Sequence, residues 1–308
     1  MRLFLGVDGG QSSTVALTGD ETGRVVGMGR GPACGNVGAI EAAVKAAGAA
    51  GVAFEAACFG LSGGASGREI VMRELVKADR YIVTHDAAIA LTGALAGEPG
   101  VIVIAGTGSI AFGKSHTGRS AGRSARAGGW GYAFGDEGGA FDLVRQALRA
   151  ALREEEGWGP PTALRGALLG ASGSPNANEL MHRFYTDEWP RERIAALAPL
   201  LDQTAEGDDG VALEILRGAA QSLATLAGIV RGQLFEAHEV VAVSYAGGVF
   251  HSPAVLERFR MLVELADGNR IEAPRFGTHY GPAAGALIEA YRAAGLEVLP
   301  ENVPTEKT

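Results

Sequence analysis

Cysteine is almost missing from this chain: Cys34 and Cys58 are the only two in 308 residues. They share no CxxC or Cys/His spacing, so no zinc or cluster site is suggested, and two reduced, partly buried thiols are the expected state. Positive charge is also scarce, with 27 Lys and Arg against 35 Asp and Glu, a formal net charge of -8. Spread along the chain, that charge repels nucleic acid and anionic membrane surfaces, both of which need clustered cations. Long apolar runs are lacking as well. The longest charge-free stretches, Pro99 to Gly113 and Val240 to Leu256, are punctuated by glycine and fall short of a bilayer span. The apolar run before Asp8 is too short for a signal peptide, so a cytoplasmic location is expected, with neither nucleic acid nor membrane as partner.

What remains is 47% hydrophobic and 20% charged, the composition of a globular enzyme with a packed core. The length exceeds the usual span of one compact core and favours two domains with a cleft between them. A strand followed by a glycine-rich turn recurs. Leu3–Val7 runs into Asp8-Gly9-Gly10-Gln11-Ser12-Ser13-Thr14, and Val101–Ala105 runs into Gly106-Thr107-Gly108-Ser109. Each is followed by a further extended segment, so the opening of the chain is repeated in kind, and the boundary is placed near Glu98-Pro99-Gly100. Residues 1–98 and 99–308 are the expected domains. Strands at 57–61 and 81–84 alternate with helices near 38–50, 68–76 and 87–96, which implies parallel pairing and an α/β fold. Residues 141–233 read as mostly helical, ending in a long helix over about 210–237. A strand at 240–243 and a last helix over about 282–294 complete the pattern, and that helix is free to pack back on the first domain.

Glycines at a strand end let backbone approach a ligand closely, and their amides, with neighbouring hydroxyls, donate to phosphate oxygens. Gly9 through Thr14 and Gly106 through Ser109, one turn per half, can clamp a polyphosphate; an ordinary hairpin turn is the alternative for either alone. Neither matches GxxxxGK[ST], which excludes the Walker-type loop. Asp8 and Asp86 sit at the carboxyl ends of expected strands, where open α/β sheets place their ligands. An acid there holds Mg²⁺ through water or takes a proton from an attacking hydroxyl, and Asp86 is equally suited to capping a helix that starts at Ala87. Gly128-Gly129-Trp130-Gly131-Tyr132 with Gly135-Asp136-Glu137-Gly138-Gly139 suits a polyhydroxylated ligand, with carboxylates for its hydroxyls and an indole for its ring. A core role for Trp130, or a capping role for Asp136 or Glu137, stands beside that reading. Ala246-Gly247-Gly248 allows an adenine to lie against backbone, or is a packing turn. Lys114, His116, Arg119, Arg123 and Arg126 read as a solvated hairpin tip.

Taken in order from residue 6 to about 290, these motifs, together with Thr84-His85-Asp86-Ala87-Ala88, resemble the N-acetylglucosamine kinases and the wider BadF/BadG/BcrA/BcrD-type ATPases. These belong to the superfamily of sugar kinases, actin and the 70-kDa heat-shock chaperones. The resemblance implies a two-domain actin-like ATPase fold, related to ribonuclease H: duplicated mixed-sheet domains with a nucleotide cleft between them. It implies ATP and Mg²⁺ as cofactors and an amino sugar as substrate, N-acetylglucosamine or glucosamine. By the same resemblance Asp86 is the base that deprotonates the sugar hydroxyl and Ser12 with its neighbouring glycines forms the first phosphate loop. Gly106, Thr107 and Gly108 form the second, and Gly247 and Gly248 form the adenosine-side turn. Asn36, Gly129, Trp130 and Asp136 fall on sugar-binding positions, and Asp8 near the metal. Homodimers are common in such families, though no interface is legible. The alternative from the same family is an ATP-hydrolysing activator that acts on a protein partner.

Overall fold

The computed structural model describes residues 1–10, 13–33, 37–64, 67–116, 121–186, 189–266, 269–271 and 280–304. The chain divides into two compact units, Met1–Ile102 with Glu272–Thr308, and Val103–Ile271.

Unit 1 is built on a five-stranded sheet of order β3-β2-β1-β4-β5. Its strands are β1 (Leu3–Gly9), β2 (Thr14–Asp20), β3 (Val25–Gly31), β4 (Ala53–Leu61) and β5 (Lys77–His85). β1, β2 and β3 form an antiparallel meander, whereas β1, β4 and β5 run parallel, as their connecting helices require. β5 reaches four residues further back than its apolar stretch suggests, because Lys77, Asp79 and Arg80 lie on an edge strand, where charged side chains remain solvated.

Both faces of this sheet are covered. Leu5, Val7, Phe59 and Leu61 pack on one face with Ile40 and Val44 of α1 (Val37–Ala46) and Met72 of α2 (Glu69–Leu75). Phe4, Ala56 and Cys58 pack on the other, with Ile89 of α3 (Asp86–Ala94) and Leu287 and Tyr291 of α11 (Pro282–Ala293). Burial of each large side chain contributes about 1.5–3 kcal/mol. α11 is apolar nearly all round because it is enclosed, lying on β1 on one side and on α3 on the other. Small residues allow that approach: a Cβ at Gly285 would fall 1.9 Å from the Ile89 carbonyl oxygen, and one at Gly6 would fall 2.3 Å from the Leu287 nitrogen.

Unit 2 repeats the sheet. Its order is β10-β9-β6-β7-β8, with β6 (Gly100–Ala105) in the place of β1, β7 (Ser109–Lys114) and β8 (Ser124–Gly128) in those of β2 and β3, and β9 (Val241–Ala246) and β10 (Asn269–Ile271) in those of β4 and β5. Lys114, His116, Arg123 and Arg126 lie about the β7–β8 hairpin, which pairs antiparallel, and Arg119 lies outside the described residues. Among the described residues, unit 1 connects its meander to β4 through α1, whereas unit 2 places six helices between β8 and β9: α4 (Ala140–Glu155), α5 (Ala163–Ser172), α6 (Ala177–Phe184), α7 (Arg191–Ala195), α8 (Pro199–Ala205) and α9 (Gly210–Leu234). With 25 residues, α9 is long and apolar enough to cross a bilayer. It carries Glu214 and Arg217 and buries Ile215, Leu216, Leu223 and Val230 against its neighbours, as a core helix does.

One helix escapes the sequence pattern, α10 (Pro253–Leu265), although its start signal is plain: the Ser252 hydroxyl accepts the Val255 N–H at 3.2 Å, and Pro253 occupies the first turn. Gly285→Ala is expected to cost about 1–3 kcal/mol by forcing α3 and α11 apart. Gly218→Ala in α9, where the added methyl meets nothing within 4 Å, should be neutral or stabilising. Denaturant unfolding of the two variants measures the contrast, and equal stabilities would refute the close crossing.

Candidate functional site

In unit 1 the parallel register aligns Asp8 with Gly60 and Gly60 with Thr84. Asp8 and Asp86 therefore lie at the same carboxyl edge of the sheet, on elements two strand spacings apart, roughly 10 Å. Asp8 alternates with Phe4 and Gly6, so it belongs to the face covered by α3 and α11. Asp86 is the first residue of α3 and His85 occupies the cap position; the helix does not begin at Ala87 with Asp86 as its cap. The Asp86 Oδ1 accepts the Ala87 N–H at 2.8 Å. That geometry leaves the other carboxylate oxygen available for a ligand at the sheet edge.

The first glycine turn is partly described. The Gly10 N–H donates to the Ser13 carbonyl at 3.0 Å and closes the turn, with Gly9 paired to Thr14. Thr14 is buried and its hydroxyl donates to the Pro32 carbonyl at 2.8 Å, so it holds the turn against the loop that follows β3. Ser13 is exposed. Gln11, Ser12 and Asn36 lie outside the described residues.

In unit 2 the second turn is locked to the loop ahead of α4. The Gly106 N–H donates to the Gly108 carbonyl at 2.9 Å, while the Ala140 and Phe141 N–H groups, the first free donors of α4, donate to the carbonyls of Gly106 and Thr107 at 2.8 and 3.1 Å. The Gly129 N–H donates to the Ser109 carbonyl at 2.9 Å, and the Ser109 hydroxyl to the Glu137 carbonyl at 2.7 Å. A Cβ on Gly139 would sit 2.8 Å from Gly108 backbone, and one on Gly108 would sit 2.4 Å from the Asp136 carboxylate. At Gly106 a Cβ would meet nothing within 4 Å, so the turn presents open backbone at that point.

The carboxyl end of β9 joins the same cluster. Gly247, at φ 101°, lies against Ala105 and Gly106: a Cβ there would fall 2.3 Å from the Ala105 carbonyl oxygen. Gly248 opens a 3₁₀ turn, Gly248–His251, and faces open space. Thus Gly106, Gly108, Gly247 and Gly248 are brought together at one sheet edge.

Neither capping by Asp136 nor a core role for Trp130 survives. Asp136 adopts a left-handed φ of 64°, is buried, and pairs through Oδ2 with the Arg191 guanidinium at 3.2 Å, while Gly139 holds the cap position of α4. Trp130 is 66% exposed, and the Arg126 guanidinium stacks 4.7 Å from its ring. The exposed indole thus presents an apolar face at the surface, whereas the Asp136 carboxylate is enclosed. Arg191, at the start of α7, escapes the sequence pattern, since nothing local in Pro190-Arg191 marks a residue that pairs 55 positions away.

Among known proteins, the profile of the BadF/BadG/BcrA/BcrD ATPase family matches residues 5–290. The chain is 34% identical over 198 residues, 64% of its length, to the N-acetylmuramic acid/N-acetylglucosamine kinase of Clostridium acetobutylicum, and the match spans 63% of that relative. It is 27% identical, over 94% of its own length and 97% of the other's, to the N-acetyl-D-glucosamine kinase of Dictyostelium discoideum. A solved structure from Chromobacterium violaceum, described as a candidate N-acetylglucosamine kinase, superposes with a TM-score of 0.74 at 26% identity, covering 94% of this chain and 98% of that one.

Gly108→Ala is expected to push the Asp136 carboxylate away and lower Tm by roughly 3 °C or more, whereas Gly106→Ala leaves it within about 2 °C. Scanning calorimetry of the two variants distinguishes them. Identical melting would show that the turn is not locked to the loop.

Proposed function

The chain belongs to the BadF/BadG/BcrA/BcrD ATPase family and has the two-domain actin-like ATPase fold, and from that premise we propose that it is an ATP-dependent kinase acting on a hydroxyl of an amino sugar, N-acetylglucosamine or glucosamine. The observation that carries this reading is the interlock in unit 2. It sets open space at the Gly106 backbone beside a loop that carries an exposed indole and a buried carboxylate held by Arg191. A phosphate-binding turn and a sugar-binding loop tied into one rigid piece suit a reaction whose catalysis is chiefly positioning. The kinase names of the relatives agree with it.

In this reading the backbone amides of Thr107 and Gly108 in unit 2, and of the 11–13 segment in unit 1, donate to phosphate oxygens, while Gly106, Gly9 and Gly10, lacking side chains, let the phosphates approach the turns. Gly247 and Gly248 take the adenosine side. Trp130 receives the ring carbons of the sugar, while Asp136, its orientation held by Arg191, accepts hydrogen bonds from sugar hydroxyls next to Gly129; Asn36 serves the same substrate. Asp86 accepts the proton of the attacking hydroxyl through the oxygen not bonded to Ala87. The sugar oxygen forms its bond to the γ-phosphorus as the bond to the ADP oxygen breaks, ADP departs, and no covalent intermediate with the protein is required.

Mg²⁺ fits what is present only as a phosphate-borne ion. Among the described residues no group of three or more His, Cys, Asp or Glu side chains can hold a metal, whereas Mg²⁺ ordinarily binds through one or two carboxylates, waters and substrate phosphates. Asp8 is the carboxylate for that role, reached through water. Bound in this way, the ion supplies charge neutralisation on the phosphates.

ADP release from ATP is expected to rise strongly with one sugar from a panel of N-acetylglucosamine, glucosamine, N-acetylmannosamine, N-acetylmuramic acid and glucose. Asp86→Asn should lower kcat by about 10²- to 10⁴-fold with KM little changed. Unaltered turnover in that variant would remove Asp86 from the chemistry, and release indifferent to every sugar would overturn the kinase reading in favour of an ATP-driven activator.

A further inference from the structure

Arg68 has no part in the function proposed above, yet it stands at the same sheet edge of unit 1. The parallel register sets Gly9 beside Leu61 and Leu61 beside His85, so Gly10, Ser62 and Asp86 are the next residues along three neighbouring chains. The Ser62 N–H continues the ladder, donating to the Gly9 carbonyl at 2.9 Å. Ser62 thus lies between the first glycine turn and the head of α3. Six positions later the chain comes back to it: the Arg68 Nη1 donates to the Ser62 carbonyl at 2.9 Å, and Nη2 lies 3.6 Å from where a Cβ on Gly63 would be. The Arg68 carbonyl accepts the Met72 N–H at 3.0 Å, and Met72 is buried in the core, which anchors the backbone of the arginine.

The charge of this side chain is left uncompensated. Among the described residues Arg68 forms no ion pair, and its hydrogen bond goes to a neutral carbonyl. Arginines on the neighbouring elements differ, since Arg73 pairs with Glu69 and Arg80 with Glu55. Arg68 is half-buried, and no nitrogen of it is enclosed without a partner, so donors beyond the one spent on Ser62 stay open to a ligand. A guanidinium held by a carbonyl on one side presents a planar fork on the other, the geometry that takes two oxygens of a phosphate.

We infer that Arg68 is a further catalytic residue, one that contacts the phosphoryl group in transfer. The inference rests on the kinase reading. There the first glycine turn holds phosphate and Asp86 receives the proton of the attacking hydroxyl, so the transferred group passes between them, over Ser62. The glycine turns contribute amides and no formal charge, whereas the phosphoryl carries negative charge on its three outer oxygens throughout the step. Arg68 neutralises that charge and forms no covalent bond. It also keeps its proton, because a guanidinium stays charged at any working pH.

The test uses the full chain and two nucleotides, ADP and the non-hydrolysable analogue AMPPNP, which differ by the terminal phosphate. In calorimetric titrations with Mg²⁺, Arg68→Met is expected to weaken AMPPNP binding about tenfold and to leave ADP binding unchanged. With the sugar that stimulates the wild-type protein, it lowers kcat about 10²-fold at unaltered KM for that sugar. Arg68→Lys, which keeps the charge but not the fork, falls between, and Arg73→Met, on the exposed side of α2, changes neither quantity. Circular dichroism checks folding; should Arg68→Met unfold, Arg68→Lys decides by the same comparison. Equal loss of both nucleotides would mark Arg68 as a clamp on its loop and overturn the inference, as would an unchanged kcat. A raised KM for the sugar with AMPPNP binding intact would place the arginine on the substrate's own substituents, and also overturns it. Wild-type ADP release that ignores every sugar defeats the kinase reading instead, and the comparison of AMPPNP with ADP still decides whether Arg68 touches the terminal phosphate.

Discussion

The arrangement at the centre of unit 2 depends on one close backbone contact, that of Gly139 against Thr107 and Gly108. Only because neither Gly108 nor Gly139 carries a side chain can the N-terminus of α4 reach the turn after β6 and spend its first two amides on the carbonyls of Gly106 and Thr107. Those amides would otherwise be orphaned, as would the carbonyls, so a single approach satisfies both sides. It also fixes everything covalently attached. The loop of residues 128–139 is drawn across the turn, Asp136 is pressed against Gly108 and held by Arg191, and Gly106 is left open because the polypeptide on its other side is Gly247.

A division of labour follows from the duplicated sheet. The order β3-β2-β1-β4-β5 recurs as β8-β7-β6-β9-β10, and in each sheet a glycine turn joins the central strand to its antiparallel neighbour. The repeated element is thus the one suited to a nucleotide, whose phosphates ask only for amides. What is not repeated lies between β8 and β9. There, among the described residues, unit 2 inserts six helices where unit 1 has one, and Trp130, Asp136 and Arg191 all belong to that insertion or to the loop leading into it. In the function proposed here, phosphate binding falls to the shared frame, and most of the contacts to the sugar to the part in which the halves differ.

Rigidity has been placed accordingly. Asp86 is carried at the head of a helix whose body is enclosed by α11 and the sheet through the crossing of Gly93 and Gly285, so the carboxylate sits on a packed element rather than a loop. In the proposed role as base, a carboxylate held in this way keeps its geometry between turnovers, which is what proximity catalysis demands. The exposed Trp130, in contrast, is set among Gly128, Gly129 and Gly131, all at positive φ, on backbone that only glycine adopts without strain.

The sequence alone determined what is local or periodic. An apolar run ending in Gly-Thr-Gly-Ser is a strand and a turn wherever it occurs, since backbone freedom and side-chain alternation are properties of neighbouring residues. The duplication could be read for the same reason, and so could the placing of Asp8 and Asp86 at strand ends. Charged residues hid the start of β5, because an edge strand has no need of apolar alternation, and α10 was overlooked despite its Ser252-Pro253 start. Only the tertiary structure decided which neighbours were spent and which remained free. The Thr14 hydroxyl is committed to Pro32, the Asp136 carboxylate goes to Arg191 rather than to a helix cap, and Trp130 faces outward rather than into the core. Those outcomes turn on contacts between residues 18 to 55 positions apart, set by how helices stack on a sheet, and no spacing along the chain encodes them.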